Sequence, residues 1–139
     1  MEFRLSRPAD HEQIYKLMEK AFRAPPSSVL RNETLQGWKY WEQHPDWDGP
    51  RSYVLMEGDQ LVSHGAVWPM RLQSSDGKQW TGIYLIDWVS NPALVPGSGV
   101  VLLRRVASIP VRSSTLHSEA YLALVEPADS AALHKSTPG

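Results

Sequence analysis

Two glycines stand just before a predicted helix, at a place where a protein backbone can hold an anion. The segment 96–99 reads Pro-Gly-Ser-Gly and lies between an apolar strand and a helix that we predict over 100–107. Glycine lets the backbone approach a ligand closely, and the first amides of a helix have no partner inside it. Because the helix dipole is positive at that end, such a site suits a pyrophosphate. The same pattern is also typical of an ordinary turn.

Two titratable residues lie on the strands predicted nearby. Asp87 comes two residues before Val89, at the end of the strand that leads into the glycine loop. A carboxylate there could accept a proton from a reacting group, directly or through water, or it could bond a turn or a basic side chain. His64 lies on the preceding predicted strand. It is a candidate to line a substrate pocket, although a single histidine on a strand is more typical of a structural role.

The pattern of apolar residues places these groups in an α/β domain. Apolar positions recur with helical spacing after Asp10, which we predict as the N-cap of a first helix, with Gln13 in the capping-box position. Alternation with a period of two then predicts a meander of three antiparallel strands. The predicted elements are a strand over 2–6, a helix over 10–23, a second helix within 29–44, strands over 53–56, 61–72 and 80–89, a helix over 100–107, a strand over 120–125 and a helix over 127–138.

Length and composition limit the classes of protein to which the chain can belong. Its 139 residues, 42% of them hydrophobic, suit a single domain over 1–139. Because the chain has no cysteine, we exclude a disulfide scaffold, a cysteine-ligated zinc and a thiol nucleophile, and we expect no metal site. A net charge of −1 argues against nucleic-acid binding, and no apolar run reaches the roughly 20 residues of a membrane span. No signal peptide is visible at the start, so we expect a cytoplasmic protein.

The order of these elements and the residues of the glycine loop resemble the GNAT superfamily, whose members transfer acyl groups from acetyl-CoA or another acyl-CoA. In that family the fourth strand ends in Val, and Arg or Gln follows five residues later, before Gly-x-Gly or Gly-x-Ala. Val89, Gly97 and Gly99 match this pattern, whereas Leu94 replaces the Arg or Gln. The resemblance implies a mixed sheet and a site for acyl-CoA. The residues that it implies for CoA binding are Val89, Leu94, Gly97, Ser98, Gly99, Val100 and, for a CoA phosphate, Arg104.

A second similarity to the family lies near the end of the chain. Residues 121–132 are similar to the family's fifth strand and the start of its fourth helix, with Asp129 where an Asn is usual. Ser136 replaces the Tyr that often protonates the departing CoA thiolate, so His134 is the nearest titratable substitute, or else an exposed helical residue. The family's last two strands are missing. We therefore expect a C-terminally truncated domain with an open sheet edge, through which it forms a homodimer or pairs with another chain.

The resemblance implies an acyl-CoA-dependent N-acyltransferase that transfers acetyl to a small primary amine by direct attack, with a backbone amide near Val89 facing the oxyanion. In this family the acceptor site is bordered by a segment that here carries Trp38, Tyr40, Trp41 and Trp47. The spacing of Trp38 and Trp41 favours core positions instead. The alternative function is a non-catalytic, degenerate GNAT-like module that binds CoA or a protein partner. The missing Arg or Gln, the missing Tyr and the missing strands favour that alternative.

Overall fold

A five-stranded mixed sheet forms the centre of the fold. The computed structural model describes residues 1–25, 27–109 and 121–123. The strands follow one another across the sheet in chain order, as β1 (Glu2–Leu5), β2 (Ser52–Glu57), β3 (Gln60–Gln73), β4 (Gln79–Ser90) and β5 (Tyr121–Ala123). Neighbours among the first four are antiparallel, whereas β5 runs parallel to β4. The predicted meander and the mixed sheet are therefore confirmed.

Helices lie on both faces of this sheet. On one face are α1 (His11–Phe22) and α2 (Glu33–Tyr40), and on the other is α3 (Ser98–Ala107). Because side chains alternate along a strand, each face has its own apolar core. The core under α1 and α2 comprises Ile14, Leu17, Met18, Tyr40, Val54, Met56, Leu61, Ala66 and Val89. The core under α3 comprises Tyr53, Leu55, Val62, Val67, Ile83, Leu85, Leu102 and Val106.

The first helix begins where the sequence predicts, but its predicted capping box is wrong. The Asp10 carboxylate accepts hydrogen bonds from the Arg4 guanidinium at 2.8 and 2.9 Å and from the Arg7 amide at 2.7 Å. The bond from Arg4 holds the pKa of Asp10 below its ordinary value. Gln13 Oε1 accepts instead from the Leu61 amide at 3.0 Å. Both side chains thus bind β1 and β3, because partners brought near by the sheet displace the local capping pattern.

The second helix lies within the predicted range of 29–44, and a buried arginine binds its C-terminal end. Val29–Arg31 forms a separate 3₁₀ turn before it. At its C-terminal end, the Arg51 guanidinium donates to the carbonyl oxygens of Trp38 at 2.6 Å, Lys39 at 3.1 Å and Glu42 at 2.7 Å. The Trp38 and Lys39 carbonyls belong to the last turn of α2, where no intrahelical donor is left, and Glu42 lies two residues beyond the helix. Arg51 is 1% exposed, and burial lowers the pKa of its side chain. The cation therefore replaces water at the negative end of α2.

Several predictions for the C-terminal part fall where little is described. The strand predicted over 120–125 is seen as Tyr121–Ala123, and the helix predicted over 127–138, with His134, lies outside the described residues. The homodimer through an open edge stays a prediction. Within the ranges that are described, no helix has the length and apolarity needed to cross a membrane. In the same ranges, no three His, Asp or Glu side chains form a group that could hold a metal ion.

Candidate functional site

A bulge interrupts β4 near the end that leads into the glycine loop. Opposite the single residue Gly65 of β3, β4 has two residues, Asp87 and Trp88. Asp87 has a φ of 51°, in the left-handed region that few residues other than glycine adopt, Asp and Asn among them. A bulge bends its strand and re-aims side chains and peptide groups, and bulges are frequent next to active sites. The predicted proton acceptor therefore lies at the irregular point of the sheet.

The Asp87 carboxylate is held by two consecutive residues at the end of α2. The Tyr40 hydroxyl donates to Asp87 Oδ2 at 2.5 Å, and Lys39 Nζ forms an ion pair with the same oxygen. Tyr40 is fully buried, and burial together with the charge of Asp87 raises the pKa of its phenol well above the ordinary value, so the hydroxyl stays a donor. Among the described residues, nothing donates to Asp87 Oδ1. The carboxylate thus bonds a basic side chain and keeps one oxygen free.

His64 lies in the interior and not on the surface of a pocket. Its side chain is 0% exposed. Ser52 Oγ lies 2.7 Å from Nε2, and the Asp87 carbonyl oxygen lies 2.9 Å from Nδ1. Burial lowers the pKa of His64 to about 4, which leaves the ring neutral at physiological pH. The structural alternative that the sequence left open therefore describes His64, and its partners connect it to the bulge.

The glycine loop joins the bulged end of β4 to the start of α3. Gly97 is the N-cap of α3 and has a φ of 79°. Gly99 packs so closely on β4 that a Cβ there would lie 2.9 Å from Ser90 Oγ and 3.2 Å from Ser90 Cβ. The Trp88 indole donates to the Gly99 carbonyl oxygen at 3.1 Å. The two glycines thus serve different purposes: the first allows the turn and the second allows the helix to approach the strand.

The start of α3 leaves polar groups without partners. In residues 1–25, 27–109 and 121–123, the amides of Gly97 and Gly99 make no hydrogen bond, whereas the Ser98 amide donates to the Val95 carbonyl oxygen at 3.2 Å. The Ser98 side chain is 1% exposed, and its Oγ is without a partner in the same ranges. A buried polar group without a partner is uncommon, and binding of a ligand is one explanation for it. Two free amides and a free hydroxyl at the positive end of a helix suit a phosphate oxygen.

The other residues predicted for CoA binding flank this helix start. Leu94 and Val100 are 44% and 51% exposed, on either side of the glycines. Val89 is buried in the core under α1 and α2. Arg104 is exposed in the last turn of α3. The loop, the bulge and Asp87 therefore belong to one stretch of β4 and α3, while Arg104 lies farther along the helix.

The aromatic residues of α2 have different environments. Trp41 packs against the core, as its spacing predicts. The core prediction is wrong for Trp38, which is 51% exposed and packs against Trp68 of β3 with 4.8 Å between ring centroids and an interplanar angle of 47°. Trp68 also contacts the buried Arg51 guanidinium, at 5.4 Å from the ring centroid. Trp38 and the half-buried Trp68 thus form a partly exposed aromatic surface next to the residues that hold Asp87.

The sequence carried no usable signal for several of these contacts. Lys39 and Tyr40 were not linked to Asp87, which is 48 and 47 residues away in the chain. No sequence pattern marks Trp88, whose indole donates to the Gly99 carbonyl oxygen of α3 and whose side chain is 36% exposed. The left-handed backbone of Asp87 had one weak signal, since Asp tolerates that conformation better than most residues.

An open cleft of about 520 Å³ lies elsewhere, between the first turns of α1 and the face of α2. Pro8, Ala9, Trp41 and three glutamates are among its lining residues, and neither Asp87 nor the glycine loop lines it. Of these glutamates, Glu12 pairs with Lys16 and Glu33 lies 3.4 Å from His11 Nε2. Because neither Asp87 nor the glycine loop lines this cleft, we do not assign the reaction to it.

Comparison of the sequence with known protein families gave a match. The sequence profile of the acetyltransferase (GNAT) domain matches residues 2–95. A search of proteins with curated functions found no match.

Solved structures with a similar fold include several acetyltransferases. A GNAT family acetyltransferase from Brucella melitensis, in complex with acetyl-CoA, is 27% identical, with a TM-score of 0.50 over 77% of this chain and 66% of its own. An acetyltransferase from Trypanosoma brucei is 16% identical, with a TM-score of 0.54 over 96% of this chain and 88% of its own. A probable N-acyltransferase from Enterococcus faecalis is 13% identical, with a TM-score of 0.57 over 76% of this chain. The chain spans only 25% of the length of that last protein.

The buried His64 predicts a dependence of stability on pH. Its pKa is about 4 in the folded state and 6.5 ordinarily, so between these values the unfolded chain binds a proton that the folded chain does not. The free energy of unfolding should therefore rise with pH across this window, by about 3 kcal/mol from this residue. Urea denaturation of the parent and of His64→Asn at several pH values measures the difference. Identical slopes in the two proteins would contradict the assignment.

Proposed function

The chain belongs to the GNAT acetyltransferase family, and from that premise we propose that it binds acetyl-CoA and transfers the acetyl group to a primary amine. The observation that carries the proposal is the start of α3, where two amides and a buried hydroxyl lack partners within the described residues, directly beside the bulge of β4. Anion-binding groups and a proton-accepting carboxylate thus meet at one end of a single strand. The Brucella melitensis relative binds acetyl-CoA, which supports the choice of ligand.

The glycine loop would hold the pyrophosphate through its backbone. The amides of Gly97 and Gly99 and the Ser98 hydroxyl are donors that a phosphate oxygen can satisfy. The exposed side chains of Leu94 and Val100 offer apolar contacts in place of the charged or amide side chain that the family usually has. We assign Arg104 to a CoA phosphate, where its charge would act at longer range.

The reaction is a direct displacement at the thioester. The amine loses a proton, its lone pair attacks the carbonyl carbon, the C–S bond breaks and the CoA thiolate takes up a proton. Asp87 is our candidate for the proton acceptor, through the oxygen that Tyr40 and Lys39 leave free. His134 stays our candidate for protonating the thiolate. A backbone amide of the bulge, just before Val89, would stabilise the oxyanion, and holding both substrates side by side supplies much of the rate.

We place the acceptor against the partly exposed aromatic surface formed by Trp38 and Trp68. Trp68 lies on the same face of β3 as His64, because side chains alternate along the strand. That face also carries α2, whose last residues bind the Asp87 carboxylate. Indole faces suit apolar groups and cations, so an amine with an aliphatic or cationic body fits this wall.

A non-catalytic CoA-binding module is the second candidate. The specific observation that favours it is the ion pair of Asp87 with Lys39, since a carboxylate that already binds a basic side chain has a structural role without any reaction. Leu94, which cannot bind a phosphate through its side chain, favours it too. The two candidates share the ligand and differ in the reaction.

Acetyl-CoA binding and turnover separate the two candidates. Acetyl-CoA at a concentration 100 times its Kd should raise the free energy of unfolding by about 2.7 kcal/mol, because only the folded state binds it. A panel of primary amines should then release free thiol, at a rate that rises with pH as the amine loses its proton. Acetyl-CoA without amine is the control. Stabilisation without amine-dependent thiol release would establish the module, and no stabilisation would refute both candidates.

Substitution of Gly99 should weaken CoA binding indirectly. The sequence pattern predicts that a side chain here obstructs the ligand, but the structure shows that its Cβ would strike Ser90 and displace the start of α3. We expect Gly99→Val to raise the Kd for CoA more than tenfold, measured by calorimetry. Gly37→Ala is the control, because the nearest atom to its new Cβ is 4.0 Å away.

The contact with Ser90 makes this prediction testable by rescue. Gly99→Ala should weaken CoA binding, and Ser90→Gly in the same chain should restore much of it, since the atoms that the Cβ meets are then gone. Full binding by Gly99→Val would show that the loop does not hold CoA.

Asp87→Asn tests the proton acceptor. Asn also tolerates the left-handed backbone, so the bulge should persist while the charge is lost. We expect kcat to fall by about tenfold or more, with the Kd for CoA changed less than about twofold. Steady-state thiol release and calorimetry measure the two quantities. Unchanged kcat would remove Asp87 from the mechanism.

A further inference from the structure

A chain of hydrogen bonds between side chains crosses the sheet and ends on the bulge. The Trp41 indole donates to Ser6 Oγ at 3.0 Å, and Ser6 Oγ donates to Ser52 Oγ at 2.7 Å. Ser52 Oγ lies 2.7 Å from His64 Nε2, and His64 Nδ1 lies 2.9 Å from the Asp87 carbonyl oxygen. Ser6, Ser52 and His64 are each at most 2% exposed. This series of hydrogen bonds therefore connects the loop after α2 with β4. It passes through Ser6 just after β1, Ser52 of β2 and His64 of β3.

The groups at its two ends set the direction of this chain. An indole N–H can only donate, and a carbonyl oxygen can only accept. Each hydroxyl must then accept from the previous member and donate to the next. His64 consequently accepts at Nε2 from Ser52 and carries its proton on Nδ1, which donates to the Asp87 carbonyl. One tautomer satisfies every member, and that tautomer is neutral.

The same residue of β4 is held a second time, through its side chain. Tyr40 and Lys39 bind the Asp87 carboxylate, and the Tyr40 ring packs edge-on against the His64 ring with 5.1 Å between centroids. A strand residue at a φ of 51° is strained and persists only when its surroundings hold it. Here the carbonyl and the carboxylate of one residue are bound by separate groups.

The carbonyl that His64 binds belongs to the peptide group that carries the Trp88 amide. In a trans peptide the C=O and N–H point in opposite directions, so a bond that fixes one fixes the other. The Asp87 carbonyl points toward the His64 ring, and the Trp88 N–H is therefore directed away from that ring. This part of β4 lies beyond Gly82–Tyr84, the residues that pair with the described residues of β5.

We propose that His64 is a positioning residue for acyl transfer, which holds the Asp87–Trp88 peptide so that the Trp88 amide faces the oxyanion of the thioester. This inference rests on the proposed function and adds to it the residue that sets the direction of the amide. His64 contacts no substrate and exchanges no proton in the reaction. Its contribution is to keep one peptide plane from turning.

Two substitutions at the same position separate positioning from general stability. In His64→Asn the amide nitrogen stands as many bonds from Cα as Nδ1, so the donor to the Asp87 carbonyl is kept and the partner of Ser52 is lost. In His64→Gln the amide group reaches the position of Nε2, so the reverse holds. Each variant loses one buried hydrogen bond, and we expect similar falls in Tm.

Their kinetic effects should differ. We expect His64→Asn to keep kcat within about threefold of the parent, and His64→Gln to lower it by about tenfold or more, with the KM for acetyl-CoA little changed in both. Ser63→Ala is the matched control, because Ser63 is another buried residue of β3 and donates to a different β4 carbonyl, that of Val89, at 2.9 Å. It should lower Tm and leave kcat unchanged.

Amide exchange measured by NMR provides a readout that does not depend on activity. The Trp88 amide should exchange faster in His64→Gln than in His64→Asn, whereas distant amides of β2 exchange alike. Equal kcat in the two variants together with equal exchange of Trp88 would overturn the inference. If the parent releases no thiol, the proposed function fails, and the exchange comparison still decides whether His64 holds the bulge.

Discussion

At Asp87, side chains from α2 and β3 together hold a backbone conformation that strands do not otherwise adopt. His64 binds its carbonyl oxygen, and Tyr40 and Lys39 bind its carboxylate. The resulting bulge changes the course of β4 just before the loop. As a result the Trp88 indole reaches the Gly99 carbonyl, and α3 begins close against Ser90. The start of α3 and the end of α2 are thus both tied to a single irregular residue of the sheet.

The two helix ends near this residue are treated in opposite ways. The C-terminal carbonyls of α2 are satisfied by Arg51, a cation that the fold buries at the cost of its hydration. At the start of α3, by contrast, the buried Ser98 Oγ has no partner within the described residues, and the Gly97 and Gly99 amides make no hydrogen bond there. Proteins rarely leave buried polar groups unpaired, because each costs about 1–3 kcal/mol. The asymmetry supports a ligand at α3 and a purely structural end at α2.

The same contacts explain why catalysis and mere binding are hard to separate from residue types alone. Asp87, our proposed proton acceptor, also has the contacts of a structural carboxylate, because Tyr40 and Lys39 bind its Oδ2. Leu94 removes a side-chain contact to a phosphate but leaves the backbone amides of Gly97 and Gly99, which depend on the turn and not on the side chain. A site built from backbone groups tolerates such a replacement. The peptide held by His64 is a further backbone group of this kind.

Local patterns in the sequence were enough for the elements of the fold. The helical spacing from Ile14 to Phe22, the alternation along the meander and the glycines before α3 predicted α1, the antiparallel strands and the loop, because these depend on neighbours within a few residues. The choice of partners for polar side chains was decided only by the tertiary structure. Asp10 binds Arg4 and Gln13 binds the Leu61 amide, and the two side chains do not form the predicted capping box. Asp87 binds Lys39 and Tyr40, which are 48 and 47 residues away in the chain. A hydrogen bond acts over about 3 Å whatever the separation in the chain, so only the packed sheet could determine which donor meets which acceptor.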